Sequence, residues 1–414
     1  MRLYLVGGAV RDMLLGRQPK DRDYVAVGAT PADIERAFPG AQLVGKSFPV
    51  FLVPGLGEVA LARTERATGI RHTDFEVRFD AGVTLEEDLL RRDLTINAMA
   101  VEVTDLATGA LGELVDPHGG RRDLAERTLR HVSGAFVEDA LRIYRVGRLA
   151  AQYGFSVAGS TFDCVASIAS RDRARLDALP GERVGGEFYR AMAAPQPEKF
   201  IETLAATGAL GVHFPELAAL AGVPAGPPAH HPEGDALVHT LMAVREARRL
   251  GGSALEVTAA LLHDLGKGLT PAEQWPHHRD HESSGAPLVR ALCDRLRLPA
   301  DVRNAAVLAC EQHLRVHRFL EMQHGKKVDL IALADKTALK AEGLALVAEA
   351  DARGRAVEAP RVAGASALRL AAPAARAVHH RDLAVPSSLR GREIGLFVRQ
   401  ARARAVERAL SVGA

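Results

Sequence analysis

Short apolar runs bounded by turn residues open the chain: Leu3–Val6, Asp23–Val27, Val50–Val53 and Glu58–Ala62 each read as a strand. Between and after them, Arg11 to Gly16 and Leu89 to Ala100 place apolar residues at helical spacing, which predicts helices there. From Phe136 onward the helical spacing runs almost without interruption. In the first of these stretches Leu141, Tyr144, Val146, Leu149 and Ala150 make an apolar face, and Arg142, Arg145 and Arg148 fall together on another. Glu138 and Asp139 stand at its start, where carboxylates suit the helix dipole. The pattern predicts an α+β protein, an α/β head with one small sheet followed by a long helical remainder. A Pro/Gly-rich connector, Gly222 to Pro228, divides that remainder.

Composition narrows the class. The 414 residues suffice for two to four domains, and 47% hydrophobic with 25% charged residues is ordinary for a globular protein. No apolar run approaches the roughly 18 residues of a membrane helix, and the N-terminus lacks a signal peptide's layout. A cytoplasmic protein is therefore expected. Cys164, Cys293 and Cys310 are scattered and form no C-x-x-C, which argues against a disulfide framework or a zinc knuckle. Any metal must be held by carboxylate and imidazole. A net charge of +2 does not by itself announce a nucleic-acid protein, and the dominance of Arg over the 8 Lys fits a GC-rich coding bias as well as phosphate binding.

The densest chemistry lies in the first hundred residues. Gly7-Gly8 ends a strand in a tight turn whose backbone N–H groups can approach a phosphate. Asp21 and Asp23 are two apart, so in an extended segment both carboxylates face one site and can hold Mg²⁺ with part of its water shell. That is the ligand set of a metal-assisted displacement at phosphorus; taken alone, an Asp-x-Asp is more often a solvated turn, and it is the neighbouring motifs that favour the metal. Arg91 and Arg92 offer bidentate phosphate contacts, and also fit a surface ion-pair cluster. Asp93 and Asn97, four apart on the expected helix, are suited to the ribose hydroxyls. A second constellation follows the connector: His239 on one helical stretch and His263-Asp264 on another can converge on a divalent ion, although a His-Asp pair is also common at helix ends. His277, His278 and His281 lie in the polar loop after Pro276, lining a substrate mouth or simply exposed; exposure is the expectation for His277.

In combination and order, LVGGAVRD, KDRDY, ALARTE, RRDLTINAMA, DPHGG, EDALRIYRVGRLAA and LLHDLGKG resemble the bacterial CCA-adding enzymes, class II tRNA nucleotidyltransferases of the multifunctional type with an HD-domain tail. The resemblance covers nearly the whole chain and weakens after about residue 355. It implies a nucleotidyltransferase palm over 1–115, an all-α neck and body over 116–221, an α-helical HD domain over 229–355 and a helical tail over 356–414. It implies addition of C, C and A to the tRNA 3′ end from CTP and ATP, with release of pyrophosphate. Asp21 and Asp23 would hold Mg²⁺, Gly8, Arg11 and Arg91 would bind the triphosphate, and Asp139 with Arg142 would present hydrogen-bonding edges to the incoming base, with Arg145 adding a nucleotide contact. Ala140 stands where the family usually carries Pro, which leaves the base-reading pair intact. The spacing of His239 to His263-Asp264 and the following Leu-Gly-Lys resemble HD-family phosphohydrolases, with Mg²⁺ or a transition metal such as Ni²⁺. A fourth ligand should be an Asp on a later helix, Asp351 first and Asp335 in reserve.

Two other readings share these motifs. A poly(A) polymerase carries the same head, and an HD phosphohydrolase with an RNA-binding head carries the same second cluster. The intact carboxylates and arginines of the head speak against the second, and the HD tail against the first. No membrane or protein partner is implied, and either a monomer or a homodimer is compatible. Arg399, Arg402 and Arg404 in the tail fit a tRNA-backbone contact or a solvated helix equally.

Overall fold

The computed structural model describes residues 1–44, 50–69, 74–78, 80–355 and 363–412; the start of the expected tail, 356–362, lies outside the described residues. The chain divides into two compact units, one of residues 1–180 with 206–212, the other of 181–205 with 213–414.

The first unit is built on a seven-stranded sheet. Its strands are β1 (Arg2–Val6), β2 (Asp23–Val27), β3 (Gln42–Val44), β4 (Val50–Val53) and β5 (Gly57–Leu61), then, after a separate ribbon of β6 (Thr64–Ala67) and β7 (Phe75–Arg78), β8 (Ala100–Asp105) and β9 (Ala110–Val115). The spatial order is β3-β4-β5-β2-β1-β8-β9. Strand β2 is antiparallel to β1 and parallel to β5, and this register sets Asp23 between Val6 and Glu58. Tyr4, Val6, Val25, Val27, Leu85 and Leu89 pack in one core beneath the sheet, at about 1.5–3 kcal/mol for each large side chain withdrawn from water.

Helix α1 (Gly8–Leu14) follows β1 through Gly7, whose φ of 69° is accessible without strain only to glycine. Helices α2 (Pro31–Ala37) and α3 (Leu85–Leu90) both begin with capping boxes, Thr30 with Asp33 and Thr84 with Glu87. The helix expected from Leu89 to Ala100 does not form. Helix α3 stops at Leu90, a short 3₁₀ turn covers Thr95–Asn97, and β8 begins at Ala100. The cause is tertiary: Thr95 N–H donates to the Arg130 carbonyl, Val132 N–H donates to that of Asp93, and the Asp93 carboxylate accepts from Leu94 N–H. Those bonds pull the backbone out of helical register despite its periodic apolar residues. Asp116 accepts from Gly120 and Arg121 N–H at 2.7 and 2.9 Å, which opens α4 (Gly120–Ala125). Gly120 is required because a Cβ there would meet the Thr95 carbonyl oxygen at 2.2 Å. Helix α5 (Leu141–Tyr153) then buries the apolar face read from its sequence and leaves Arg142, Arg145 and Arg148 half-buried.

The second unit is helical. A bundle of Ala236–Arg249, Ala254–Leu262, His281–Arg295, Ala300–His317 and Lys340–Arg353 encloses a core of small and branched side chains, including Val257, Leu261, Val289, Ala309, Leu344 and Val347. The tail supplies Ala363–Arg376 and Arg392–Val412. No helix among the described residues is long and apolar enough to cross a membrane.

Candidate functional site

In the head, the register of β1 and β2 brings the Gly7-Gly8 turn beside Asp23. Asp21 and Asp23 are both exposed at the entry to β2. Desolvation pushes the Asp23 carboxyl above its usual range, Arg92 opposes the rise, and Asp21 adds to it. Two neighbouring exposed carboxylates, with Asp23 at the edge of an opening, fit a hard divalent cation such as Mg²⁺. The opening is a cleft of about 240 Å³ lined by Val6, Asp23, Glu58, Arg63, Arg91 and Arg92 among others.

The cleft arginines are held by carboxylates that the sequence reading did not single out. Arg91 donates to Glu65 at 2.7 Å and to Asp88 at 2.8 Å, and Arg92 to the other oxygen of Asp88 at 3.1 Å. Asp88 is fully buried, and although burial alone would raise its carboxyl, Arg91 and Arg92 bring it below the usual range. Arg92 also approaches the Gly7-Gly8 turn: a Cβ at Gly7 would lie 2.9 Å from its Nη1. Nothing local in the sequence ranks Arg92 over Arg91, and Asp88 reads only as one acid of a helix first turn.

Arg11, Asn97, Asp93 and Arg145 form one chain of contacts. Arg11 donates to Asn97 Oδ1 at 2.6 Å, Asn97 Nδ2 to Asp93 Oδ1 at 3.1 Å, and Arg145 Nε to Asp93 Oδ2 at 2.8 Å. Burial would raise the Asp93 carboxyl; Arg145 first, with Asn97, holds it far below the usual range instead. Arg11 stacks over Tyr153, whose hydroxyl donates to Asp12 at 2.9 Å. Thus Asp93 and Asn97 meet, although not on a helical face. Asp139 is half-buried and accepts from Leu141 N–H at 3.1 Å, while Arg142 donates to the carbonyls of Ala135 and Arg91 at 2.8 and 2.7 Å. Gly8 starts α1 with the Arg11 guanidinium over it.

In the second unit, His239, His263, Asp264 and Asp351 come together from two helices and the turn that follows a third, Ala254–Leu262. His239 Nε2 lies 3.0 Å from Asp351 Oδ1, and His263 Nε2 lies 3.2 Å from Asp264 Oδ2 and 3.9 Å from Asp351 Oδ1. Asp335 is elsewhere, paired with Arg376 at 2.6 Å. His281 and His313 join at 3.2 and 3.5 Å from Asp264 Oδ1, and His317 reaches Asp351 Oδ2 at 2.6 Å. His277 is exposed and His278 half-buried, its Nε2 2.6 Å from the Pro224 carbonyl.

The donor set fits a divalent metal. His263 Nε2, His281 Nε2 and Asp264 Oδ1 are buried and make no hydrogen bond among the described residues, although His281 Nε2 stands 3.2 Å from Asp264 Oδ1 and His263 Nε2 3.2 Å from Asp264 Oδ2. Groups that touch without hydrogen-bond alignment are disposed around a common centre, and imidazole with carboxylate suits a borderline ion. The electrostatics agree: burial should lower His263, but Asp264 and Asp351 push it up to about 10, and the field that draws a proton there draws a cation. Behind His239, its Nδ1 lies 2.9 Å from Glu233, which also contacts His231 at 2.8 Å. His313, His317, Glu233 and His231 were missed as members of this site. The spacing of four between His313 and His317 was the one available signal, since it places both on one helix face.

The chain matches the Poly A polymerase head domain over residues 3–130, the probable RNA and SrmB-binding site of polymerase A over 154–220, and the HD domain over 237–340. It is 47% identical to the multifunctional CCA protein of Xanthomonas campestris pv. campestris over 100% of both chains. It is 46% identical to that of Vibrio cholerae over 86% of this chain and 87% of the relative. Its fold is that of the CCA-adding enzyme from Thermotoga maritima complexed with tRNA, at a TM-score of 0.60 and 18% identity, covering 100% of this chain and 92% of the other. The Bacillus stearothermophilus CCA-adding enzyme in complex with CTP aligns at a TM-score of 0.56 and 25% identity, covering 99% and 89%. Full-length identity of this order, carried by a nucleotidyltransferase head and an HD domain in one chain, makes the protein a member of the multifunctional CCA proteins, CCA-adding tRNA nucleotidyltransferases with an HD domain.

Proposed function

We propose that the head joins C, C and A in turn to the tRNA 3′ end, using CTP and ATP. In each step the tRNA 3′-hydroxyl oxygen bonds to the α-phosphorus, the bond to the β-phosphate oxygen breaks, and pyrophosphate leaves as the hydroxyl proton is released. The observation that carries this reading is the register that sets the Gly7-Gly8 turn, Asp23 and Arg92 at one end of the sheet. Asp21 and Asp23 hold Mg²⁺, which supplies activation of the hydroxyl and charge neutralisation at the leaving group when bound. The Gly8 N–H, Arg11 and Arg91 bind the triphosphate, and Arg92 belongs with them because it reaches the same turn. Asp93 and Asn97 recognise the ribose, oriented by Arg145 and Arg11. Asp139 and Arg142 read the base and Arg145 adds a contact to the nucleotide, so no nucleic-acid template is required.

The division into head 1–115, neck and body 116–221, HD domain 229–355 and tail 356–414 belongs to this reading, as do a cytoplasmic location and a monomer or homodimer. The HD domain hydrolyses phosphoesters with His239, His263, Asp264 and Asp351 as ligands of Mg²⁺ or a transition metal such as Ni²⁺. The imidazole-rich set favours the latter.

The test is a tRNA lacking its terminus, incubated with CTP and ATP and resolved on a gel. Wild type should extend it by three residues ending in A, and Asp21→Ala should abolish incorporation with an unchanged circular dichroism spectrum. An indefinite ladder of A would assign a poly(A) polymerase instead, and incorporation by Asp21→Ala would remove the head assignment. His263→Ala should lose phosphoester hydrolysis and keep CCA addition.

A further inference from the structure

The cavity above the HD histidines has a volume of about 360 Å³, and Arg355 lines it with Asp264, Lys267, His281, His313 and Asp351. Three cations line that wall, Lys267, Arg279 and Arg355; Arg279 is exposed to solvent, and the other two differ in what they already do. Lys267 is committed, with Nζ 2.6 Å from Asp264 Oδ2 and a bond of 2.8 Å to the Ala225 carbonyl. Arg355 is not. Its side chain is only 27% exposed, its Nε is buried with no hydrogen-bond partner among the described residues, and its ion pair with Asp351 is long, Nη2 standing 3.9 Å from Oδ1. Asp351 has little to offer it, because His239 contacts that same oxygen at 3.0 Å and His317 contacts Oδ2 at 2.6 Å.

A guanidinium donor withdrawn from water without an acceptor is unfavourable, and here the guanidinium borders an open cavity facing an imidazole and carboxylate cluster. With Nε buried and the side chain still partly exposed, an acceptor arriving from the cavity can reach the rest of the guanidinium. A planar fork of N–H groups matches the paired oxygens of a phosphoryl group better than it matches a neutral ligand or a single carbonyl.

We propose that Arg355 is a substrate-binding residue of the HD centre, one that grips the non-bridging oxygens of a phosphoryl group placed between it and the His263–Asp264 cluster. The substrate class follows: an ester whose phosphoryl oxygens are free to be bound from the Arg355 side. The inference rests on the phosphohydrolase reading for turnover, while phosphate binding tests Arg355 without it.

The experiment uses full-length, nickel-loaded protein and two probes, inorganic phosphate followed by calorimetry and p-nitrophenyl phosphate followed by turnover. Arg355→Ala should weaken phosphate binding and raise KM by about tenfold or more, with kcat within about twofold of wild type. Metal content per chain and CCA addition should be unchanged, and Arg355→Lys should fall between, as a point charge without the fork. Equal phosphate affinity in wild type and Arg355→Ala, absence of phosphate binding by wild type, or loss of metal with the guanidinium would each overturn the proposal. If phosphate binds and depends on Arg355 but no ester is hydrolysed, the phosphohydrolase reading fails and the Arg355 site stands.

Discussion

Arg145 Nε stands 2.8 Å from Asp93 Oδ2, so a residue of α5 neutralises a carboxylate buried in the head. Asp93 is depressed in the folded state, so its contribution to stability is fully present above the unfolded value of about 3.9 and is lost as pH falls below it. Arg145→Ala should remove about 1–3 kcal/mol near neutral pH by leaving the carboxylate with Asn97 and the Leu94 N–H alone. Urea unfolding of wild type and variant from pH 7 to 3 should show the gap narrowing as the buried Asp93 of the variant, no longer held down by Arg145, takes up its proton; a constant gap would show that the pair is not its source.

Gly7 adopts a left-handed φ and faces Arg92 at a distance a Cβ would shorten to 2.9 Å. Gly7→Ala should therefore cost about 1–2 kcal/mol of stability from backbone strain and also displace the guanidinium. Steady-state kinetics should record a higher KM for both CTP and ATP if, as proposed, the turn serves phosphate rather than base. A change confined to one nucleotide would contradict that.

Glu233 orients His239 through Nδ1, and the two histidines it contacts hold its carboxyl near about 2 against the raising effect of burial. Outer partners of ligating histidines tune affinity rather than create it, so Glu233→Gln should weaken metal binding about 10–100-fold without abolishing it. Competition against a chelating dye measures this directly. Unaltered affinity would reduce Glu233 to packing.

Asp351 and Asp335 separate cleanly. Asp351→Asn should strip the HD metal and its hydrolytic activity, whereas Asp335→Asn should leave metal content intact and only loosen the Arg376 contact. Elemental analysis of both purified variants decides between them.

Much of the head was legible because its central strands are short, apolar and bounded by turns; β1, β2, β4 and β5 fall within a residue or two of their expected spans. The segment from Leu89 to Ala100 was not, since long-range backbone bonds to Arg130 and from Val132 outweigh local periodicity there. Strands β8 and β9 were hidden in part because β9 is mostly exposed and carries little apolar alternation. For the sites, residues in contiguous motifs were legible, including His263-Asp264. His313 and His317 were not, because each acts through a carboxylate tens of residues away, and Asp88 and Glu233 were not, because a single acid close to its partners carries no mark of its own.

The two carbonyl bonds of Arg142 have a mechanical consequence. A guanidinium tied to both Ala135 and Arg91 is a strut, because swinging it about its own torsions breaks one bond or the other. If that side chain reads the base, then exchanging C for A demands travel of the backbone to which it is fastened, including the end of α3. Nucleotide choice in this enzyme then becomes a property of how far that joint moves, and a substitution that stiffens it will change the order of addition without touching any atom that meets the base.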